Sequence, residues 1–262
     1  MTTLELWKAV YFDCPRLYYK KILPVTIKIM LAKNRTLAYL RGIHPTMNPS
    51  TRATQAFALY CFCIIVYLTV GGVFQSRWGL PGIALNQILF LVLPALLYVG
   101  LLELPFKKIF PFKIPSLKEV LLALFLTALM IVLVELLLSW QEHLWPLPKD
   151  IQQFYGKLLS SRGASEIFLK VIILALLPAC CEELFFRGFL QSIFRQVLGP
   201  LGTIVLVALL FAAAHANLWY FAYYFILGSY LAAYRNWKNN LALCVLIHFL
   251  NNLYSMRGMF GI

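Results

Sequence analysis

The sequence predicts an all-α, polytopic membrane protein: a bundle of about seven transmembrane helices with an interfacial amino-terminal segment. Three observations predict it. The 262-residue chain is 61% apolar and only 13% charged, whereas soluble domains run at about 45–50% apolar and about 25% charged. The apolar residues gather into runs as long as a bilayer is thick. The 23 lysines and arginines fall between those runs in a sided pattern.

Residues 1–55 come first. They hold nine of the basic residues against two acids, Glu5 and Asp13, and carry Trp7, Tyr11, Phe12, Tyr18 and Tyr19. Basic residues mixed with aromatics form a layer that lies on cytoplasmic headgroups. Ile22 to Ala32 is apolar but too short to span, and Lys28 interrupts it. The opening Met1-Thr2-Thr3-Leu4-Glu5 does not read as a signal peptide, having no basic region and no cleavage site. Thr46 to Thr54, next to Pro45 and containing Pro49, reads as a linker.

Apolar runs follow at 56–74, 83–104, 117–140, 167–190, 201–216, 218–234 and 240–256. Each crosses, or nearly crosses, a ~30 Å hydrocarbon core at about 1.5 Å per residue. Residues 56–160 thus hold three helices and residues 161–262 four. With the amino terminus on the cytoplasmic side, inner segments hold 17 basic residues. Outer segments hold five: Arg77, Lys149, Lys157, Arg162 and Arg257. That asymmetry is the positive-inside pattern of a multi-pass protein. It also accounts for the net charge of +13 without a basic face for nucleic acid, which is not an expected partner. The six cysteines form no C-x-x-C pair and read as space-filling thiols rather than a disulfide framework or zinc ribbon.

Chemistry concentrates in the last hundred residues. A charge at mid-bilayer costs about 2.5–3.5 kcal/mol on insertion scales, yet the fourth run contains Glu182, Glu183 and Arg187. Glu183 and Arg187 are four apart on one helical face and read as a structural ion pair. Glu182 is turned away from them. An unpaired carboxylate in such a setting suits a general base. The next run ends Phe211-Ala212-Ala213-Ala214-His215, where small residues permit close helix approach and Phe211 buttresses the imidazole. The last run supplies His248 and Asn252, again four apart on one face. Donors paired in this way can stabilise an oxyanion, although each histidine taken alone also suits helix packing. The run limits leave one conflict. They put Glu182 about 22 Å from the outer surface and His215 about 21 Å from the inner one, so the two miss each other in depth. Glu135, a further acid in an apolar run, has no evident role in the sequence.

The order E-E-x-x-x-R, F-x-x-x-H, H-x-x-x-N on successive helices resembles the CPBP family of membrane proteins. This family comprises the CAAX proteases and bacteriocin-processing enzymes, also called Abi, and includes the type II CAAX prenyl protease. The resemblance covers residues 165–256. It implies an intramembrane glutamic endopeptidase with no cofactor and no metal, acting on a membrane-associated peptide or protein. Glu182 would activate water, His215 would help to position it, and His248 with Asn252 would form the oxyanion hole. Glu183, Arg187 and Phe211 would be supporting residues.

Three other readings stand beside it. Glu182, His215 and His248 are also a donor set of the kind catalytic zinc uses, although no H-E-x-x-H occurs. A non-enzymatic immunity or adaptor protein of the same fold would keep these residues for packing. Paired intramembrane acids also serve proton-coupled transporters, although no inverted repeat is visible.

Overall fold

The computed structural model describes residues 47–160 and 163–260. The expected interfacial layer lies mostly in residues 1–46, outside the described residues. Every element described is helical. Helix α1, Pro49–Trp78, starts at Asn48, whose Oδ1 accepts from the Thr51 amide at 2.7 Å, with Pro49 in the first turn. Gly79, at φ +57°, ends α1 and leads straight into α2, Leu80–Leu101. A short α3, Phe106–Ile109, follows. Ser116 and Glu119 close a capping box that starts α4, Leu117–Leu144. Then come α5, Lys149–Leu159, and the 51-residue α6, Ala164–Ala214. The chain ends in α7, Phe221–Lys238, α8, Leu241–Ser255, and a 3₁₀ turn, Arg257–Phe260.

The seven apolar runs correspond to α1, α2, α4, the two arms of α6, α7 and α8. Of these helices, α1, α2, α4 and α6 are long and apolar enough to cross a membrane, and α8 is a shorter apolar helix. Burial is arranged inside out. Leu121, Phe125, Leu129, Val132, Leu133 and Leu136 of α4 face outward, while Gln87, Glu182, Glu183, Arg187, Gln191 and His248 are buried. Lipid has no drive to expel apolar side chains and a large penalty for polar ones, so this distribution is that of an integral membrane protein.

Helix α6 resolves the conflict of depth. It turns back at Gly199, which sits at φ 67°, ψ −174° and is followed by Pro200. A positive φ with extended ψ is a glycine conformation, and proline opens the second arm without needing an amide hydrogen bond. The first arm runs on to residue 198, well past the limit of 190 expected from hydropathy. Glu182 and His215 then lie at nearly equal distances from the turn, about 25 Å along each arm. The Phe186 and Phe211 rings, 5.2 Å apart, show the arms packed antiparallel.

The helix ends meet in two groups. At one end Ser192 Oγ donates to Ile109 O at 3.2 Å, the Leu241 amide to Pro111 O at 2.9 Å, and the Lys113 amide to Asn240 Oδ1 at 3.1 Å. At the other, Gln141 Nε2 donates to Trp219 O at 2.5 Å, and Asn217 Nδ2 to Tyr155 Oη at 3.2 Å.

Candidate active site

The two arms of α6 and helix α8 bring three of the expected residues together. Glu182 is 8% exposed. Its Oε2 faces Nε2 of His215 at 3.9 Å and Nε2 of His248 at 3.8 Å, and has no hydrogen-bond partner among the described residues. These separations exceed a direct hydrogen bond and are within reach of one shared water.

Each ring is held from its other nitrogen. His215 caps α6 and puts Nδ1 2.8 Å from Phe211 O, so Nδ1–H donates there and Nε2 is turned to Glu182. Its ring stacks on Tyr224 at 3.7 Å between centroids, with Phe211 4.6 Å away on the same helix. His248 puts Nδ1 2.8 Å from Glu183 Oε1, and that oxygen also accepts from Arg187 Nη1 at 2.9 Å. Arg187 is fully buried; Nη2 donates to Gly228 O at 3.3 Å, and its guanidinium lies 4.3 Å over the Phe211 ring. A methyl at Gly228 would lie 3.1 Å from the Ala208 backbone, so glycine there lets α7 approach α6 closely enough for that carbonyl to reach Arg187.

Glu183 therefore does more than pair with Arg187 on its own helix. It also reaches His248, a contact that the i, i+4 spacing did not reveal. A π-helical turn at Glu183–Leu190 begins here. With more residues per turn than an α-helix, it changes which side chains share a face.

Asn252 stands apart from the three. It lies one turn beyond His248, and its Nδ2 donates to Ala175 O at 3.2 Å in the π-helical turn Val171–Leu176. An amide nitrogen carries two hydrogens, so this bond commits only one. Asn251, buried beside it, donates to Tyr223 Oη.

Two residues in the amino-terminal half also reach the site. Gln87 of α2 donates from Nε2 to Glu182 Oε1 at 3.2 Å and to Tyr67 Oη of α1 at 3.0 Å. Nothing in the sequence marks them, because an uncharged amide in an apolar run carries no motif. Glu135, without a role in the sequence, pairs with Arg257 at 3.2 Å.

The three-ligand zinc arrangement fits poorly. Among the described residues, no group of three or more His, Cys, Asp or Glu is placed to hold a metal ion.

Beside the site lies a cavity of about 520 Å³, lined by Trp145, Tyr155, Trp219, Tyr223, Tyr224 and Tyr254 among others. Tyr224 belongs both to its wall and to the His215 stack. Cavities of this size, mostly apolar with a few polar groups, suit ligand binding.

Residues 164–254 match a family model described as type II CAAX prenyl endopeptidase Rce1-like. Neither a curated protein nor a solved structure matches the chain. The matched segment runs from the start of α6 almost to the end of α8, and leaves Tyr67 and Gln87 outside it.

Proposed function

We propose, from the membership of residues 164–254 in the type II CAAX prenyl endopeptidase Rce1-like family, that this protein is an intramembrane endopeptidase in which Glu182 activates the attacking water. The family points to a membrane protease. The observation that carries the glutamate reading is the unpartnered, buried Glu182 Oε2, set one water's breadth from two imidazole nitrogens.

In this reading the water donates one hydrogen to Glu182 Oε2 and the other to the lone pair of His215 Nε2. Its oxygen is then turned toward the substrate. Glu182 takes its proton as the oxygen adds to the scissile carbonyl carbon. The oxyanion that forms accepts from His248 Nε2–H and from the second amide hydrogen of Asn252. His248 acts here as an imidazolium, donating from Nδ1 to Glu183 while Nε2 faces the oxyanion. As the C–N bond breaks, Glu182 delivers the proton to the departing nitrogen, which leaves as an amine. Prearranged donors of this kind stabilise developing charge most where water is excluded. The cavity shares Tyr224 with the His215 stack, which makes it the first place to look for a bound peptide segment. The family's description as a prenyl endopeptidase makes a prenylated carboxy-terminal peptide the first substrate to try.

The test uses purified protein in lipid nanodiscs and a fluorogenic, farnesylated peptide ending in a CAAX sequence. Glu182→Gln is expected to lower kcat roughly 10²–10⁴-fold, the usual worth of a general base. Asn252→Ala is expected to lower it roughly 10²–10³-fold, as loss of an oxyanion donor does. A chelator should leave the wild-type rate unchanged, and loss of activity with chelator would move the reading to a metal peptidase. Equal cleavage by wild type and Glu182→Gln would overturn the glutamate base.

A further inference from the structure

We infer that Gln87, held by Tyr67, is a positioning residue that selects Oε2 of Glu182 as the working oxygen, so that α1 and α2 complete the site. This rests on the reading of Glu182 as the base.

Gln87 is 3% exposed; its Nε2 is bonded, while its Oε1 is buried with no hydrogen-bond partner among the described residues. One nitrogen serves both neighbours, giving one hydrogen to Tyr67 Oη at 3.0 Å and the other to Glu182 Oε1 at 3.2 Å. The amide nitrogen faces the carboxylate and donates to it. The bond occupies Oε1 and fixes rotation of the carboxylate about its last torsion. Oε2 is left as the free oxygen, turned to His215 and His248.

The backbone on both sides supports the contact. Gln87 immediately precedes the π-helical turn Ile88–Val92 of α2, and Glu182 immediately precedes Glu183–Leu190 of α6. Such turns inside α-helices occur frequently at functional sites. Tyr67 is fixed in turn, since its carbonyl accepts from Asn86 Nδ2 at 3.3 Å. A Cβ on Gly71 would fall 2.0 Å from Asn86 Oδ1, so α1 leaves room for that amide only by having glycine there. The family match begins at residue 164, so this support comes from a part of the chain that the match does not cover.

The test compares Gln87→Leu, Tyr67→Phe and the double variant with wild type, using the farnesylated CAAX peptide. Gln87→Leu removes the donor, and kcat is expected to fall about 10–100-fold with KM within about twofold, the cost of misplacing a reacting group. Tyr67→Phe removes one oxygen only and should lower kcat less. The two losses should be non-additive, because both act through one amide. A second measurement does not need turnover. The carboxylate stretch of Glu182, isolated as the infrared difference between wild type and Glu182→Gln, should shift in Gln87→Leu. A folded Gln87→Leu with wild-type kcat and an unmoved band would overturn the inference. Should Gln87→Leu fail to fold, Tyr67→Phe answers the same question, and a wild-type rate with an unmoved band overturns it there. If Glu182→Gln itself cleaves normally, the base reading falls, while the band still reports whether Gln87 holds that carboxylate.

Discussion

At the scale of single residues, Glu183 carries more than Glu182 for folding. One of its oxygens accepts from Arg187 and from His248, and all three side chains are buried. Removing one member of a buried, hydrogen-bonded charge set leaves the others uncompensated, which costs about 3–5 kcal/mol. Glu183→Gln should therefore lower stability by about that amount in a reversible denaturant titration, and should also lower activity by freeing the His248 ring. The Glu135–Arg257 pair is partly exposed, so Glu135→Gln should change stability by at most about 1 kcal/mol in the same titration. Glu182, His215 and His248 were legible in the sequence because polar groups in apolar runs need a reason. Gln87 and the Glu183–His248 bond were not, because spacing reports neighbours on one helix and is silent about partners 95 and 65 residues away.

Among the elements, α6 decides the site, and Gly199 decides α6. A Cβ there would meet nothing within 4 Å, so the cost of Gly199→Ala is conformational alone. It should be about 1–3 kcal/mol for a non-glycine residue in that region of φ and ψ, read in the same denaturant titration. Gly100→Ala, at a helical glycine that also has open space, is the control and should be neutral or slightly stabilising. The sequence located this arm but ended it early, at 190. Polar residues at the end of the run cut the apolar stretch short, whereas the bundle supplies Arg187, Gln191 and Arg195 with the carbonyls of Gly228 and Ala232 and the side-chain amide of Asn236. Hydropathy counts polar residues and cannot see partners on a neighbouring helix. The π-helical turns left no mark in the pattern either, since they change the period only locally.

Across the whole molecule, the two groups of helix ends differ in composition. Lys107, Lys108, Lys113, Arg195, Arg235 and Lys238 gather at one end, and the aromatic cavity opens at the other. On the positive-inside rule the cavity end is expected outside. In a cysteine-free background, Asp150→Cys should react with an impermeant maleimide on intact, inner-leaflet-inside vesicles, and Lys108→Cys only after they are opened. The opposite labelling would invert the orientation without altering the bundle. The chain order of the site also governs its assembly during synthesis. Gln87 emerges first, then Glu182 and Glu183, then His215, and His248 with Asn252 last. At about 5–20 residues per second, translation needs roughly 3–13 s to travel from Glu183 to His248. Until α8 is inserted, Glu183 has its Arg187 contact but not that of His248, and Glu182 faces no second imidazole. On the proposed reading, a nascent chain halted in that interval would carry Glu182 and His215 without the His248 that completes the site.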